Sequence, residues 1–267
     1  MGEGTKKAPV SVVIPCYNCA STLERAVASV AAQTLQPAEI ILVDDASVDD
    51  TREVMQKIRR LYDDNWIKVL FLPKNVGPGD ARNAGWDTAA EPFIAFLDAD
   101  DTWHSRKIEI QYQWMAAHPE VLFTGHPCVW GQKHDLAQEL SGDCQARRIM
   151  PRQLLLSNYF PTPSVMLCRE LPCRFLAGKR YSEDYLLWLQ IVLSGNQAWR
   201  LDQPLTYLYK APFGEAGLSA DLWTMEKGEL ETYQELTRLG LISKTSCLIY
   251  KFLSVVKYGR RKVLGKI

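Results

Sequence analysis

The sequence predicts an α/β fold, a mostly parallel central sheet flanked by helices, with a helical extension at its C-terminal end. Three observations carry that prediction. Strand-like apolar runs and helix-period segments alternate four times in the first hundred residues, the pattern of a doubly wound sheet with right-handed crossovers. Each early run stops abruptly at a polar turn. The last thirty residues then change to helical spacing with charge of one sign.

Val10 to Pro15 reads as the first buried strand and ends in the turn Pro15-Cys16-Tyr17-Asn18. Ser21 and Glu24 stand at capping-box spacing and predict a helix start, with Leu23, Ala26, Val27 and Val30 on its apolar face. Ile40 to Val43 is the second strand, closed by Asp44-Asp45-Ala46-Ser47, and Ser47 with Asp50 brackets the next helix start. Lys68 to Leu72 is the third strand. After the Gly/Pro loop 74–79, a helix through Ala81 to Trp86 leads to a strand at Phe93. The second half is less regular. A helix is expected from about Ser105 to Ala117, strands at Val121 to Phe123 and Val165 to Cys168, and a strongly apolar helix from Tyr185 to Leu193. Late extended segments fall at Trp199 to Leu201 and Pro204 to Tyr209, while residues 125–150 give no clear pattern.

At 267 residues the chain can bury a sizeable core. No run approaches the length of a membrane-spanning helix, and the polar start Met1 to Lys7 has no signal-peptide apolar segment. Seven cysteines, an odd number without small-scaffold spacing, point to a reducing compartment, with the cytoplasm as the expected location. Cys16 and Cys19 form a C-x-x-C, but there is no second such pair and a turn accounts for it. The net charge of zero conceals an asymmetry. No acidic residue follows Glu235, while Arg238, Lys244, Lys251, Lys257, Arg260, Arg261, Lys262 and Lys266 do. Leu248, Ile249, Phe252, Leu253 and Val256 repeat at helical spacing just ahead of the basic cluster. An amphipathic helix of this kind suits an anionic membrane surface. The plainer reading is a terminal helix packed on the body with solvated lysines. Nucleic acid is not expected, because no aromatic stacking platform accompanies the basic residues.

The stretch Phe93 to Trp103 holds the densest chemistry. An apolar strand runs into Asp98-Ala99-Asp100-Asp101. In an extended chain Asp98 and Asp100 point the same way, and paired hard oxygens suit Mg²⁺ or Mn²⁺ held together with substrate phosphates. Acids after a strand are also ordinary turn or cap residues. In a parallel sheet, however, the ends of the first, second and fourth strands share one edge. Pro15 to Asn18, Asp44-Asp45 and Asp98 to Asp100 would then line one cleft, with Asp45 accepting from a base or ribose and Tyr17 stacking on a base.

These motifs in this order make the sequence resemble a family 2 glycosyltransferase of the GT-A (Rossmann-like) fold. The matching residues are Val12 to Asn18, Gln33-Thr34, Ile41 to Ser47 with Asp50-Thr51, Asn75-Val76-Gly77, Ala81-Arg82-Asn83, the DxD motif Asp98-Ala99-Asp100, and Glu183-Asp184. The match spans roughly residues 9 to 210. The resemblance implies a GT-A domain over 1–235, with a nucleotide-binding half at 9–104 and an acceptor-side half at 105–235. Residues 236–267 form the basic helical tail. It implies a nucleotide-diphosphate-sugar donor, with UDP the expected nucleotide, bound by Pro15, Tyr17, Asn18, Asp45, Arg82, Asp98, Asp100 and Lys210. Asp100, with Asp98, would hold Mg²⁺ or Mn²⁺, and Asp184, or else Glu183, would be the general base of an inverting transfer to an acceptor hydroxyl. The acceptor would be a glycan or lipid-linked glycan of cell-surface polysaccharide or glycolipid assembly. The protein would be peripheral on the cytoplasmic face of the membrane. One departure is visible. Relatives often carry a basic residue and then a histidine after the last strand, and this chain has Lys210 without the histidine.

Two other readings remain open at this level. Asp98-Ala99-Asp100-Asp101-Thr102 also fits the DxDx[TV] nucleophile of haloacid-dehalogenase-like phosphatases, with Asp98 as nucleophile, although that family places it on the first strand. A non-catalytic nucleotide-sugar-binding module is the other, and the intact acids speak against it.

Overall fold

The computed structural model describes residues 7–62, 65–130, 140, 144–209 and 221–264. In chain order the elements are β1 (Ala8–Cys16), α1 (Leu23–Ala31), β2 (Pro37–Asp44), α2 (Thr51–Tyr62), β3 (Ile67–Phe71), α3 (Pro78–Thr88), β4 (Phe93–Phe96), β5 (Thr102–Trp103) and α4 (Lys107–Ala117). There follow β6 (Phe123–Gly125), β7 (Cys128–Trp130), β8 (Ala146–Ile149), α5 (Pro151–Leu156), β9 (Met166–Cys168), α6 (Glu183–Leu193), β10 (Ala198–Leu201), β11 (Thr206–Leu208), α7 (Leu222–Arg238) and α8 (Lys244–Leu264).

Among the described residues the main sheet has the order β3-β2-β1-β4-β9-β6-β10-β8, and β5-β11-β7 form a small second sheet. The first four neighbours are parallel, with Val13 level with both Ile41 and Phe96. Their carboxyl ends therefore open on one edge, where ligands bind in such sheets. Beyond β4 the direction reverses, because β9 pairs antiparallel with both β4 and β6. The predicted α/β class, with the parallel half first, is what the structure has.

One apolar layer, with Val27, Met55 and Ile108, packs the face covered by α1, α2 and α4. The other lies under α3, α5, α6 and α7 and includes Trp86, Phe175 and Trp188. Helix α6 is buried on almost every side, from Tyr185 through Val192, as expected of a helix apolar all round. Helix α3 lies close to the sheet because Gly85 has no side chain: a Cβ there would come 2.4 Å from a Val13 methyl.

Three local expectations are corrected. Helix α1 begins at Leu23 with no side-chain cap. The carbonyl of Cys19 instead receives the Thr22 and Leu23 N–H groups, so the Ser21–Glu24 box does not form. At α2 the first turn is met by Asp49, which accepts from Thr51 N–H, while Ser47 Oγ accepts from Asn18 N–H. Finally, β4 ends at Phe96 and residues 98–101 turn, closed by Asp101 N–H on the Asp98 carbonyl at 3.1 Å. Asp98 and Asp100 thus project from a turn and not from alternate positions of a strand.

Helix α8 packs one face on the body. Ser254 donates to Glu226 in a buried 2.7 Å bond, and Tyr250 stacks on Tyr233. Lys257 donates to the Leu156 carbonyl at 2.7 Å. Its other face exposes Leu248 (70%), Ile249, Phe252 (67%), Val255 and Val256. Among the described residues no helix is long and apolar enough to cross a membrane.

Candidate active site

The loops after β1 and β2 are stitched together. Asn18 takes up a left-handed backbone (φ 49°), for which asparagine is suited. Its side-chain oxygen accepts from Val48 N–H at 2.9 Å, and Asp45 N–H donates to the Cys16 carbonyl at 2.8 Å. Pro15 lies level with Val43 on β2, and Tyr17 projects half-exposed. Asp44, fully buried, is paired with Arg52 at 2.6 Å. Asp45 does different work. Its two carboxylate oxygens accept from Val76 and Gly77 N–H at 2.7 and 2.9 Å, fixing the loop that opens α3. Gly77 has φ 96° there, and Arg180 crosses beside it to donate to Asn75 at 2.6 Å.

Helix α3 presents Arg82 to the centre of the site. Arg82 is 5% exposed, pairs with Asp98 at 2.7 Å through one guanidinium nitrogen, and pairs with Glu183 at 3.0 Å through the other. Burial opposes its charge, but Asp98 and Glu183 more than offset this and hold its pKa above the usual arginine value. The next residue, Asn83, clamps the opposite wall by donating to the Phe175 carbonyl and accepting from its N–H.

Glu183 and Asp184 open α6 after Ser182, which is left-handed (φ 54°). The positive end of the helix dipole favours acids there. Burial comes first, then the charge of Asp184, in raising the Glu183 carboxyl to about 7 against the pull of Arg82. Burial also raises Asp184, opposed by its hydrogen bonds from Tyr185 N–H and Thr162. Its Oδ2 accepts from Thr162 Oγ1 at 3.2 Å and from Asn158 at 3.3 Å. Glu183 is thus committed to an arginine, whereas Asp184 is held by neutral donors on the loop 157–164.

The DxD turn is fixed from beneath. Arg25 on α1 donates to the Asp100 carbonyl at 2.6 Å and lies 3.8 Å from the centre of the Tyr209 ring. Tyr209 shares a 3.2 Å hydroxyl contact with Thr102. Lys210 and residues 211–220 lie outside the described residues. The structure therefore gathers Arg82, Asp98, Glu183 and Asp184 into one cluster beside Asp100. Asp45, Asn18 and Tyr17 lie on the adjoining loops of the same edge. Three contributors have no motif in the sequence: Arg25 sits on the ordinary polar face of a helix, and Asn158 and Thr162 lie in a Pro-flanked loop. The proximity of Pro161 and Pro163 to two polar residues was their one visible signal.

Among the described residues no three His, Cys, Asp or Glu side chains converge as a metal site. A resident cation would thus rely on one or two carboxylates plus substrate phosphates, which is the usual manner of Mg²⁺. Asp98 already gives one oxygen to Arg82, and the Asp100 carbonyl accepts from Arg25.

This architecture is that of the GT-A glycosyltransferases. Solved structures share it: Staphylococcus aureus TarS in complex with UDP-GlcNAc superimposes with a TM-score of 0.67 at 20% identity, over 85% of this chain and 66% of that one. The mannosyltransferase PcManGT from Pyrobaculum calidifontis, in complex with GDP-Man and Mn²⁺, gives 0.66 at 18% identity over 98% and 77%. The model of glycosyl transferase family 2 matches residues 11–169, and the chain belongs to that family. Among its relatives, the Bacillus subtilis putative teichuronic acid biosynthesis glycosyltransferase TuaG is 28% identical over 93% of this chain and 96% of its own. The Escherichia coli UDP-Glc:alpha-D-GlcNAc-diphosphoundecaprenol beta-1,3-glucosyltransferase WfaP is 38% identical over 74% and 76%. The protein is a glycosyltransferase, and the phosphatase reading of Asp98 falls: that residue follows the fourth strand and is bound to a buried arginine.

Proposed function

We propose that the protein transfers a sugar from a UDP-sugar to a hydroxyl of a lipid-linked glycan, with inversion, at the cytoplasmic face of a membrane. The observation that carries the reading is Arg82 joining Asp98 to Glu183, which sets the DxD turn of the donor half against the acid pair of the acceptor half. Pro15, Tyr17, Asn18 and Asp45 bind the nucleoside, and Lys210 supplies charge near the diphosphate. In this reading residues 9–104 form the nucleotide-binding half, 105–235 the acceptor-side half and 236–267 the tail. The UDP-glucose donor and diphosphoundecaprenol acceptor named for the Escherichia coli relatives support the choice of substrates.

Asp184 takes the proton from the attacking hydroxyl as general base, held at the mouth of the site by Thr162 and Asn158. Glu183 keeps Arg82 oriented, and Arg82 keeps Asp98 facing the donor. Asp100, with Asp98 next to it, would hold Mg²⁺ or Mn²⁺, whose charge would stabilise the departing diphosphate. The bound Mn²⁺ of the mannosyltransferase neighbour favours such a cofactor. The exposed apolar stripe of α8 and the basic residues around it, Lys244, Lys251, Arg260 and Lys262, suit an anionic bilayer surface.

A calorimetric titration with UDP, dTDP and GDP, with and without Mn²⁺, tests the donor reading. Metal-dependent binding of UDP that is lost in Asp100→Ala is expected. Absence of nucleotide binding under every condition would overturn it.

A further inference from the structure

We propose that Arg147 and Arg200, flanked by Tyr159, form the binding site for the phosphoryl oxyanions of a diphosphate-linked acceptor. The proposal rests on the reading of Asp184 as the base and deepens it, by assigning the charged part of the acceptor to residues of this chain.

Arg147 on β8 is directly opposite Arg200 on β10 in the antiparallel register. Like charges in that position repel and destabilise a sheet. The Arg200 Nε is buried without a hydrogen-bond partner. Among the described residues, the ionisable groups that act on its guanidinium are Arg147, Cys128 and Tyr159, and none is a carboxylate. The Arg147 guanidinium stands 5.8 Å from the Tyr159 ring centre. Two further buried groups lie behind the pair. Arg200 pairs with Gly125 on β6, and the next residue, His126, is fully buried with Nε2 unpartnered. Lys107 is also fully buried with Nζ unpartnered, resting on the Trp103 ring at 3.9 Å. Burial and the charges of Lys107 and Arg200 hold His126 down at about 3, so it stays neutral there. Two opposed forks of N–H donors, with no acid between them among the described residues, suit a phosphoryl group, which guanidinium binds through paired bonds.

The position fits an acceptor. Tyr159 follows Asn158, which donates to Asp184, so the loop 157–164 runs from the base to the basic pair. Cys128 lies between the two regions, its thiol raised first by burial and then by Asp101, with Arg200 and Asp98 both acting on it. An acceptor sugar whose hydroxyl reaches Asp184 would direct its anomeric diphosphate toward the arginines.

The test uses the full chain saturated with UDP and Mn²⁺. The probes are a synthetic farnesyl diphosphate-linked N-acetylglucosamine and the phenyl glycoside of the same sugar. Wild type should prefer the diphosphate probe. Arg147→Gln/Arg200→Gln should weaken it at least tenfold, and the paired lysine variant should recover part of that loss. Binding of UDP and of the phenyl glycoside should not change. Undiminished binding of the diphosphate probe by the glutamine variant, or a wild-type preference for the phenyl glycoside, overturns the proposal alone. Loss of binding to phosphatidylglycerol vesicles without loss of the diphosphate probe assigns the arginines to lipid headgroups and also overturns it. Failure of wild type to bind UDP overturns the donor reading beneath it.

Discussion

Arg82 and Glu183, 101 positions apart in the chain, meet at 3.0 Å in a buried ion pair that Asp98 extends on the other side. A lysine cannot make both contacts with the fork geometry of a guanidinium. Arg82→Lys should leave a buried carboxylate poorly paired, and breaking such pairs costs about 3–5 kcal/mol. Thermal unfolding should show a lower Tm, and kcat/KM should fall with it. A variant as stable and active as wild type would contradict the bridging role.

The acid pair sets the pH dependence. Asp184 must be unprotonated to accept a proton, and burial raises it. Because burial raises Asp184, the acid-side decline of kcat/KM should lie at higher pH than for an ordinary aspartate. Asp184→Asn should lose roughly 10²–10⁴-fold in rate while UDP binding persists. For stability the sign follows from Glu183. Its folded pKa of about 7 lies above the unfolded value, so its contribution is fully present below the unfolded value and is lost as pH rises through about 7.

Gly228 on α7 abuts the residue two positions before Glu183. A Cβ there would stand 2.6 Å from Tyr181 Cβ and 2.9 Å from its carbonyl oxygen. The latter is backbone and cannot rotate away. Gly228→Ala should therefore cost about 1–3 kcal/mol of stability, as overpacking does. It should also lower kcat, because the displaced segment carries both acids. A melt shifted without any change in kcat would show that the base does not depend on this support.

Helix α8 cannot simply be removed to test membrane contact, since its inner face carries the buried Ser254–Glu226 bond. Replacing Leu248, Phe252 and Val256 by serine leaves that face untouched. The triple variant should lose most of its partition into phosphatidylglycerol vesicles and keep its Tm within ~2 °C, as surface changes do. Unchanged partition would remove the stripe from membrane binding.

Much of this was legible in the sequence, for physical reasons that differ by region. The early strands are continuous apolar runs such as Ile40 to Val43 that end in acids, a signal that needs no distant partner. The apolar helix after Glu183-Asp184 was equally plain. What the sequence did not disclose depends on contacts across the fold. Asp45 holds Val76 and Gly77, and Arg25 reaches the Asp100 carbonyl 75 positions away. Whether the chain stays extended through Asp98 and Asp100 was open in the sequence; Leu97 makes the last bond to β1 and the chain then folds back. The short strands β7 and β8 gave no periodicity because three or four residues contain no more than two repeats.

The pairing of β4 with β9 has a consequence for synthesis. When Phe93 to Phe96 leave the ribosome, β1 is already available on one side, but the strand for the other side is encoded roughly seventy residues later. At translation speeds of ~5–20 residues per second, that edge stays uncapped for several seconds. An uncovered apolar edge is a template for pairing with other chains. The nascent protein is thus most prone to aggregate after its nucleotide-binding half has formed and before Met166 to Cys168 arrive, the interval in which a chaperone has most to protect.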